Sequence, residues 1–159
     1  MAIPSAAMKS FSVHYKFSQH FDFPARQAYE WCTDYQPSDL QLAGEKGERK
    51  VRRLNEDTII LTDTFFTGKV KAVKKRLVKL YPKRLSWTNT RISPDAKHSQ
   101  FLYEIFSEPG RSRLVFTGSQ MFPGTATESR RAALAKKIAG EDSAEWKVLA
   151  KAMAKDLSR

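Results

Sequence analysis

Residues 58–81 read TIILTDTFFTGKVKAVKKRLVKLY, and this stretch decides the fold. Its first part, 58–66, is rich in β-branched and aromatic residues, and its second part, 70–81, is a long basic run that stops at Pro82. The Thr-Gly pair at 67–68 is a turn signal. Two β-type runs joined by so short a turn predict an antiparallel pair of strands.

Similar patterns flank this hairpin on both sides. Apolar and polar residues alternate over 11–18, which predicts a half-buried strand near the N-terminus. Four more strands are predicted over 49–54, 85–92, 99–107 and 113–121. Turn residues separate these runs, so the pattern predicts antiparallel pairing in a sheet of about seven strands.

Helical spacing of apolar residues occurs in two parts of the chain. Pro24 precedes a helical pattern over 25–35, and Pro37 opens a second, short turn or helix. Near the C-terminus, one helical stripe holds Trp146, Leu149, Ala150, Met153 and Leu157. The predicted order is β-α-α-β-β-β-β-β-β-α. This is an α+β fold in which a curved antiparallel sheet packs on a long C-terminal helix and leaves a groove between the two.

The start of the last helix depends on Gly140. Residues 127–138 also favour a helix, but a glycine inside one long helix costs about 1 kcal/mol. We favour a break at Gly140, with Asp142 or Ser143 capping a helix that begins beyond it. In a continuous helix, Asp142 would lie near the apolar face. Residues 121–140 are long for a connection, and we expect them to act as a lid or gate.

The composition is that of a single domain. The chain has 159 residues, 41% hydrophobic and 28% charged, so we expect one domain over 1–159 with a disordered tail over 1–8. The single cysteine, Cys32, excludes an intrachain disulfide and favours a reducing compartment. The sequence shows neither a signal peptide nor an apolar run long enough to span a membrane. We therefore expect a cytoplasmic protein.

The formal net charge is +11, and the run 69–84 contains basic residues but no acid. Such a surface attracts an anionic membrane or an acidic protein partner. The alternative is that lysines on strands only guard against aggregation. Nucleic acid is a less favoured partner, because no aromatic ladder at stacking spacing accompanies the charge.

The segment 23–34, FPARQAYEWCTD, carries a family resemblance together with the element order. It is similar to the START-like (SRPBCC) superfamily, the helix-grip fold that includes the birch-pollen allergen and polyketide cyclases. The resemblance covers nearly the whole chain. It implies a deep cavity between sheet and helix that holds a lipid, sterol, polyketide or other hydrophobic compound. Some members are enzymes and many are not, so the resemblance alone leaves the function open.

The motifs of the large enzyme classes are missing from the sequence. His14, His20 and His98 have no partners at metal-ligand spacing, and there is no phosphate loop, nucleophile elbow or dinucleotide fingerprint. We therefore expect neither a metal nor another cofactor.

Polar residues inside the predicted strands are the stronger indication of a site. Asp63 shares a strand face with apolar neighbours, and a buried carboxylate needs a partner or a raised pKa. Lys74 and Arg76 lie on the matching face of the next strand, so either can pair with Asp63 or meet an anionic ligand. The alternative is a β-bulge that turns these charges outward.

A ligand-binding set follows from the strand faces and the two helices. Aromatic and aliphatic residues would cover the apolar part of a ligand, and one or two polar groups would fix its head. The set comprises Trp31, Leu61, Asp63, Phe65, Arg76, Trp87, Asn89, Arg91, Tyr103, Phe116 and Trp146.

The sequence favours binding or transport of a hydrophobic or amphipathic small molecule, by sequestration and not by turnover. One alternative is a cyclase, dehydratase or hydrolase in the same cavity, with Asp63 or His98 as weak candidates for the acid or base. Another is a co-chaperone-like interaction module that works through its basic face.

Overall fold

The computed structural model describes residues 9–42, 44–94 and 96–159, so the tail expected over 1–8 lies outside it. Within these residues the chain forms seven strands, three helices and one 3₁₀ turn. The strands are β1 (Ser10–Phe21), β2 (Gly47–Asn55), β3 (Thr58–Thr67), β4 (Val70–Tyr81), β5 (Ser86–Arg91), β6 (Gln100–Glu108) and β7 (Arg111–Pro123). The helices are α1 (Ala25–Thr33), α2 (Asp39–Leu42) and α3 (Glu128–Leu157), and the 3₁₀ turn is Pro82–Arg84.

The strands form one antiparallel sheet in the order β1-β7-β6-β5-β4-β3-β2. Consecutive strands from β2 to β7 pair as neighbours, as the turn pattern predicts. The first strand pairs with the last along its whole length, from Ser10 opposite Pro123 to Phe21 opposite Ser112. This curved seven-stranded sheet, followed by a long C-terminal helix, confirms the predicted helix-grip architecture.

The core lies between one face of the sheet and the helices α1 and α3. Ile59, Leu61 and Val78 are fully buried on β3 and β4, and Met153 covers them from α3. On α1, Tyr29 packs edge-on against Trp87 and donates a hydrogen bond to the carbonyl of Ser86 at 3.3 Å. One end of the sheet is thus filled by α1, and the space beside α3 is left for a cavity.

The last helix differs from the sequence expectation. It runs without a break from Glu128 to Leu157 and passes through Gly140. Its N-cap is Thr127, whose hydroxyl accepts a hydrogen bond from the backbone N–H of Arg130 at 3.1 Å, so the caps proposed at Asp142 and Ser143 are wrong. The helix tolerates the glycine because packing against β1 outweighs a cost of about 1 kcal/mol.

The lid expected over 121–140 is also wrong. Strand β7 continues to Pro123, and the first turns of α3 begin at Glu128, so only a short loop joins them. Most of the region belongs to the rigid frame of the cavity.

Candidate functional site

A cavity of about 740 Å³ lies between the sheet and α3. Ten of the predicted site residues line it: Trp31, Asp63, Phe65, Arg76, Trp87, Asn89, Arg91, Tyr103, Phe116 and Trp146. Leu61 instead belongs to the fully buried core. His98 is exposed in the loop between β5 and β6 and is not a cavity residue.

Aromatic rings from three strands and α3 form one wall of the cavity. Trp87 on β5 and Tyr103 on β6 face each other across the strand pair and stack at 4.7 Å with their planes 2° apart. Phe116 on β7 meets Tyr103 edge-on at 5.1 Å, and Trp146 on α3 approaches the same tyrosine at 5.8 Å. The rings pack on one another, and Trp87 is only 1% exposed, so they form an apolar backing to the cavity.

Asp63 lies at the centre of a buried ion-pair cluster. Its carboxylate, with 1% of the side chain exposed, accepts two hydrogen bonds from Arg49 at 2.7 and 2.9 Å and one from Arg76 at 2.9 Å. The bulge considered as an alternative is therefore wrong for this pair, because Asp63 and Arg76 both point inward from regularly paired strands.

The protonation state of Asp63 follows from this geometry. Burial alone would raise its pKa, but the hydrogen bonds and charges of Arg49 and Arg76 outweigh burial and hold the pKa below its usual range. For Arg49, burial is likewise outweighed by Asp63, and the guanidinium pKa is raised. Asp63 is thus a fixed anion, which suits a structural or electrostatic role and not general acid–base catalysis.

Sequence reasoning missed Arg49 as the main partner of Asp63. The residue lies directly opposite Asp63 in the β2–β3 pair, within the hairpin that Asn55 and Asp57 turn. The register of a hairpin can be counted outward from its turn. Here the count places Arg49 opposite Asp63 only if it allows for the irregular pairing between Arg53 and Asn55.

Lys74 is the second feature of the charged end of the cavity. It lies opposite Asp63 in the β3–β4 pair, yet its ammonium group sits 5.4 Å from the centre of the Phe65 ring. Burial lowers its pKa, and the positive charges of Arg91 and Arg76 lower it further.

Two buried polar atoms of the cavity wall make no hydrogen bond to any described residue. They are Nε of Arg76 and Oδ1 of Asn89. The amide nitrogen of Asn89 donates to the hydroxyl of Tyr103 at 3.3 Å, so the free oxygen is the unused half of a buried amide. Buried polar atoms normally find partners, so one donor and one acceptor are left unsatisfied beside the cavity.

The wall formed by α3 carries carboxyl groups. The hydroxyl of Tyr15 donates a hydrogen bond to Asp142 at 2.6 Å. Desolvation raises the pKa of Asp142 although the Tyr15 hydrogen bond and Lys74 oppose the shift, and the pKa of Glu145 is raised by desolvation and then by Asp142. Asp142 lies on the inner face of the helix, as expected for a continuous α3.

The opening near α1 and α2 is acidic. The indole N–H of Trp31 donates to Asp156 at 3.0 Å. Desolvation, followed by the charge of Asp39, raises the pKa of Asp34 to about 6. Burial raises the pKa of the neighbouring Cys32 thiol, which fits a packing role for this cysteine and not a nucleophilic one.

The cavity is therefore more polar than the sequence indicated. The expectation was one or two polar groups in an apolar pocket, but charged residues contribute from both walls and the opening. They are Asp34, Asp39, Glu45, Arg49, Asp63, Lys74, Arg76, Arg91, Lys137, Glu141, Asp142, Glu145 and Asp156. Cations predominate on the sheet wall and carboxyls on the helix wall.

The described residues contain neither a metal-binding cluster nor a membrane-spanning helix. No group of three or more His, Cys, Asp or Glu residues among them is arranged to hold a metal ion. None of the described helices has the length and apolar character needed to cross a membrane.

Comparison with solved structures shows how widely this architecture occurs. No protein-family profile and no curated protein sequence matches the chain. A Staphylococcus aureus protein of unknown function superposes with a TM-score of 0.76 at 11% identity, covering 95% of this chain and 99% of its own. The Zhui aromatase/cyclase from Streptomyces sp. R1128 gives 0.69 at 11% identity, over 94% and 95% of the two chains.

An enzyme of a different reaction shares the same architecture. Norcoclaurine synthase from Thalictrum flavum, in complex with dopamine and hydroxybenzaldehyde, gives a TM-score of 0.60 at 12% identity, over 94% of this chain and 90% of its own. Identities this low establish the fold, and function has to be argued from the site. These likenesses show that the chain has the helix-grip fold.

Proposed function

We propose that the protein binds one amphipathic aromatic or polycyclic small molecule in the cavity between the sheet and α3. The observation that carries this proposal is that an aromatic wall and a charged end share one space of about 740 Å³. A volume of that order suits a drug-sized molecule. The partly exposed aromatic side chains of the lining, Trp31, Phe65 and Trp146, would contact the ring system of the ligand.

The polar head of the ligand would lie near β4 and β5. The free Nε of Arg76 requires an acceptor and the free Oδ1 of Asn89 requires a donor. The cations Arg76 and Arg91 lie on this wall of the cavity, and the side chain of Lys74 lines it as well. A ligand with an acidic group and a hydroxyl group would supply both partners, which favours an aromatic or polyketide-like acid over a plain hydrocarbon.

The alternative in the same cavity is an enzyme of the cyclase, dehydratase or hydrolase type. Its acid and base would not be Asp63, which is a fixed anion, or His98, which lies outside the cavity. Asp142 and Glu145 are the better candidates, because their raised pKa values bring carboxyl groups closer to neutral pH. The open cavity argues against the co-chaperone-like alternative, in which the interior would be filled.

The turn between β3 and β4 supports the membrane proposed as a partner. Phe66 and Val70 are 42% and 67% exposed there, and the ammonium group of Lys71 lies 5.9 Å from the centre of the Phe66 ring. Lys69 adds a second positive charge, and the strands continue from this turn to Phe65 and Lys74 in the cavity wall. Exposed apolar side chains between lysines complement an anionic lipid surface. We infer that this turn brings the cavity to such a membrane.

The first test is native mass spectrometry of protein purified from its own host, followed by denaturing extraction. A bound aromatic or polyketide-like acid at one molecule per chain is the expected result. A second test uses the anionic aromatic dye 1-anilinonaphthalene-8-sulfonate and a variant that fills the cavity, Gln120→Trp. The control Gln100→Trp places the same ring on an exposed position of β6.

We expect the dye fluorescence to be lost in Gln120→Trp and kept in Gln100→Trp. Equal fluorescence in both variants would show that the dye binds elsewhere and would contradict the proposed site.

A further inference from the structure

The amine of Lys74 is excluded from the ion pair that its strand position would give it. The residue lies opposite Asp63 in the β3–β4 register, but Arg49 and Arg76 together donate three hydrogen bonds to that carboxylate. Lys74 makes no ion pair with any described residue, and its recorded contact is the ring of Phe65 at 5.4 Å. A lysine amine therefore faces the cavity without a fixed partner.

The surroundings of Lys74 favour its neutral form. Desolvation comes first, followed by the positive charges of Arg91 and Arg76 on the same wall. Glu145 on α3 and Asp63 oppose these effects, and Lys137, Glu141 and Asp142 also face the cavity from α3. The balance leaves the pKa lowered. Only an unprotonated amine can attack a carbonyl carbon, and lysines beside other cations are a known means of obtaining one.

We propose that Lys74 forms a covalent iminium with an aromatic aldehyde or ketone bound in the cavity. The amine nitrogen attacks the carbonyl carbon, the π electrons move to oxygen, and one proton passes from the nitrogen to that oxygen. The resulting carbinolamine loses this oxygen as water and becomes the iminium. Hydrolysis reverses these steps and returns the amine and the carbonyl compound.

The rest of the cavity suits this chemistry. The partly exposed rings of Phe65 and Trp146 line the same cavity and suit an aromatic substrate. Loss of water from a carbinolamine requires an acid. Asp142 and Glu145 are carboxyl groups of raised pKa in the same cavity and can supply that proton. An iminium withdraws electrons from the adjacent carbon, so bond formation or decarboxylation at that carbon is the class of reaction that follows.

Reductive trapping tests the proposal directly. The protein is incubated with 2-naphthaldehyde and sodium cyanoborohydride at pH 7, and peptide mass spectrometry gives the labelling rate at each lysine. Lys75 is a matched control, because it is the next residue of the same strand but is exposed. We expect Lys74 to be labelled several-fold faster than Lys75 at this pH. Equal or slower labelling of Lys74 would overturn the proposal.

Two variants separate nucleophilicity from charge. Lys74→Arg keeps a long basic side chain and removes the nucleophilic amine, so the fast adduct should vanish while circular dichroism stays unchanged. Lys75→Arg should keep the fast adduct. A fast adduct that persists in Lys74→Arg would also overturn the proposal.

The inference goes beyond ligand binding and can fail separately from it. If the dye binds wild type and Gln100→Trp but not Gln120→Trp, and Lys74 is unreactive, the binding proposal stands and this one falls. If Lys74 reacts rapidly but the dye does not distinguish the two variants, the iminium chemistry stands and the proposed binding mode falls.

Discussion

The hydroxyl of Tyr15 in β1 donates a 2.6 Å hydrogen bond to Asp142 in the middle of α3. The ring reaches the helix because Gly118 lies opposite Tyr15 in the β1–β7 pair. A Cβ atom at Gly118 would come within 2.8 Å of the tyrosine ring. Because Gly118 has no side chain, the ring of Tyr15 can extend over β7 and reach α3. Its hydrogen bond to Asp142 then fixes the position of α3 beside the cavity.

Replacement of Tyr15 by phenylalanine tests this link. We expect the free energy of unfolding to fall by about 1 kcal/mol, the usual net value of one hydrogen bond. The pKa of Asp142 should rise further, because the tyrosine hydrogen bond now lowers it. Urea denaturation and a carboxyl titration by NMR measure the two effects. Tyr81→Phe, at an exposed tyrosine, is the control, and an unchanged Asp142 pKa would contradict the assignment.

The two glycines Gly118 and Gly140 should respond to alanine in opposite ways. At Gly140, inside α3, an added Cβ meets no atom within 4 Å, so Gly140→Ala should stabilise the protein by up to about 1 kcal/mol through helix propensity. Gly118→Ala should destabilise it, because the ring of Tyr15 has to move. Thermal denaturation measures both effects: the melting temperature should rise in Gly140→Ala and fall in Gly118→Ala. A destabilising Gly140→Ala would indicate a break in the helix that the structure does not contain.

Much of the fold could be predicted because periodicity and turn residues act locally. The strand from 58 to 66 and the basic strand from 70 to 81 occur within one residue of their predicted limits. The error at Gly140 has a physical cause, since propensity alone favours a break there and only packing against β1 restores the helix. Such packing energy cannot be read from the local sequence.

Strand alternation could predict which residues face the cavity, but not how the charged ones pair. The face of Asp63 follows from strand alternation, whereas its partner depends on the register of two hairpins. The β2–β3 register places Arg49 opposite Asp63, and Arg49 donates to its carboxylate. Because that carboxylate is already occupied, Lys74 on the other side of β3 makes no ion pair with it. The sequence did not predict that Asp142 and Glu145 line the cavity, because this depends on α3 being continuous through Gly140.

Removal of the carboxylate at the centre of the cluster should be costly. Asp63→Asn removes the counter-ion of Arg76 and leaves Arg49, among the described residues, only Asp39, at 3.9 Å. Loss of one partner from a buried pair costs about 3–5 kcal/mol. Asp22→Asn, at an exposed position, is the control and should change the free energy of unfolding little.

The difference in stability between wild type and Asp63→Asn should depend on pH. The pKa of Asp63 is lowered in the folded protein, so its stabilisation is complete above the unfolded value of about 3.9 and is lost as the pH falls through the folded value. The stability difference between wild type and Asp63→Asn should therefore shrink below about pH 4. Denaturation curves at pH 7 and pH 3 measure it. A difference that is constant over this range would contradict the assignment of Asp63 as the ionised partner.

The β3–β4 turn predicts selective binding to anionic vesicles. Phe66 and Phe106 are a matched pair, since they are 42% and 45% exposed and each lies against one cation, Lys71 at 5.9 Å and Arg113 at 5.7 Å. The strand register places them at opposite ends of the sheet. We expect Phe66→Ser to reduce sedimentation with phosphatidylserine vesicles and Phe106→Ser to leave it unchanged.

The positive charges of Lys69 and Lys71 should supply the part of vesicle binding that does not come from Phe66. Each lysine near an anionic surface contributes about 1 kcal/mol, so Lys69→Gln combined with Lys71→Gln should weaken binding by about 2 kcal/mol, and added salt should have a similar effect. Neutral phosphatidylcholine vesicles should bind little protein. Equal binding to both vesicle types, or equal loss in Phe66→Ser and Phe106→Ser, would exclude this turn as the membrane contact and leave the basic face to an acidic protein partner.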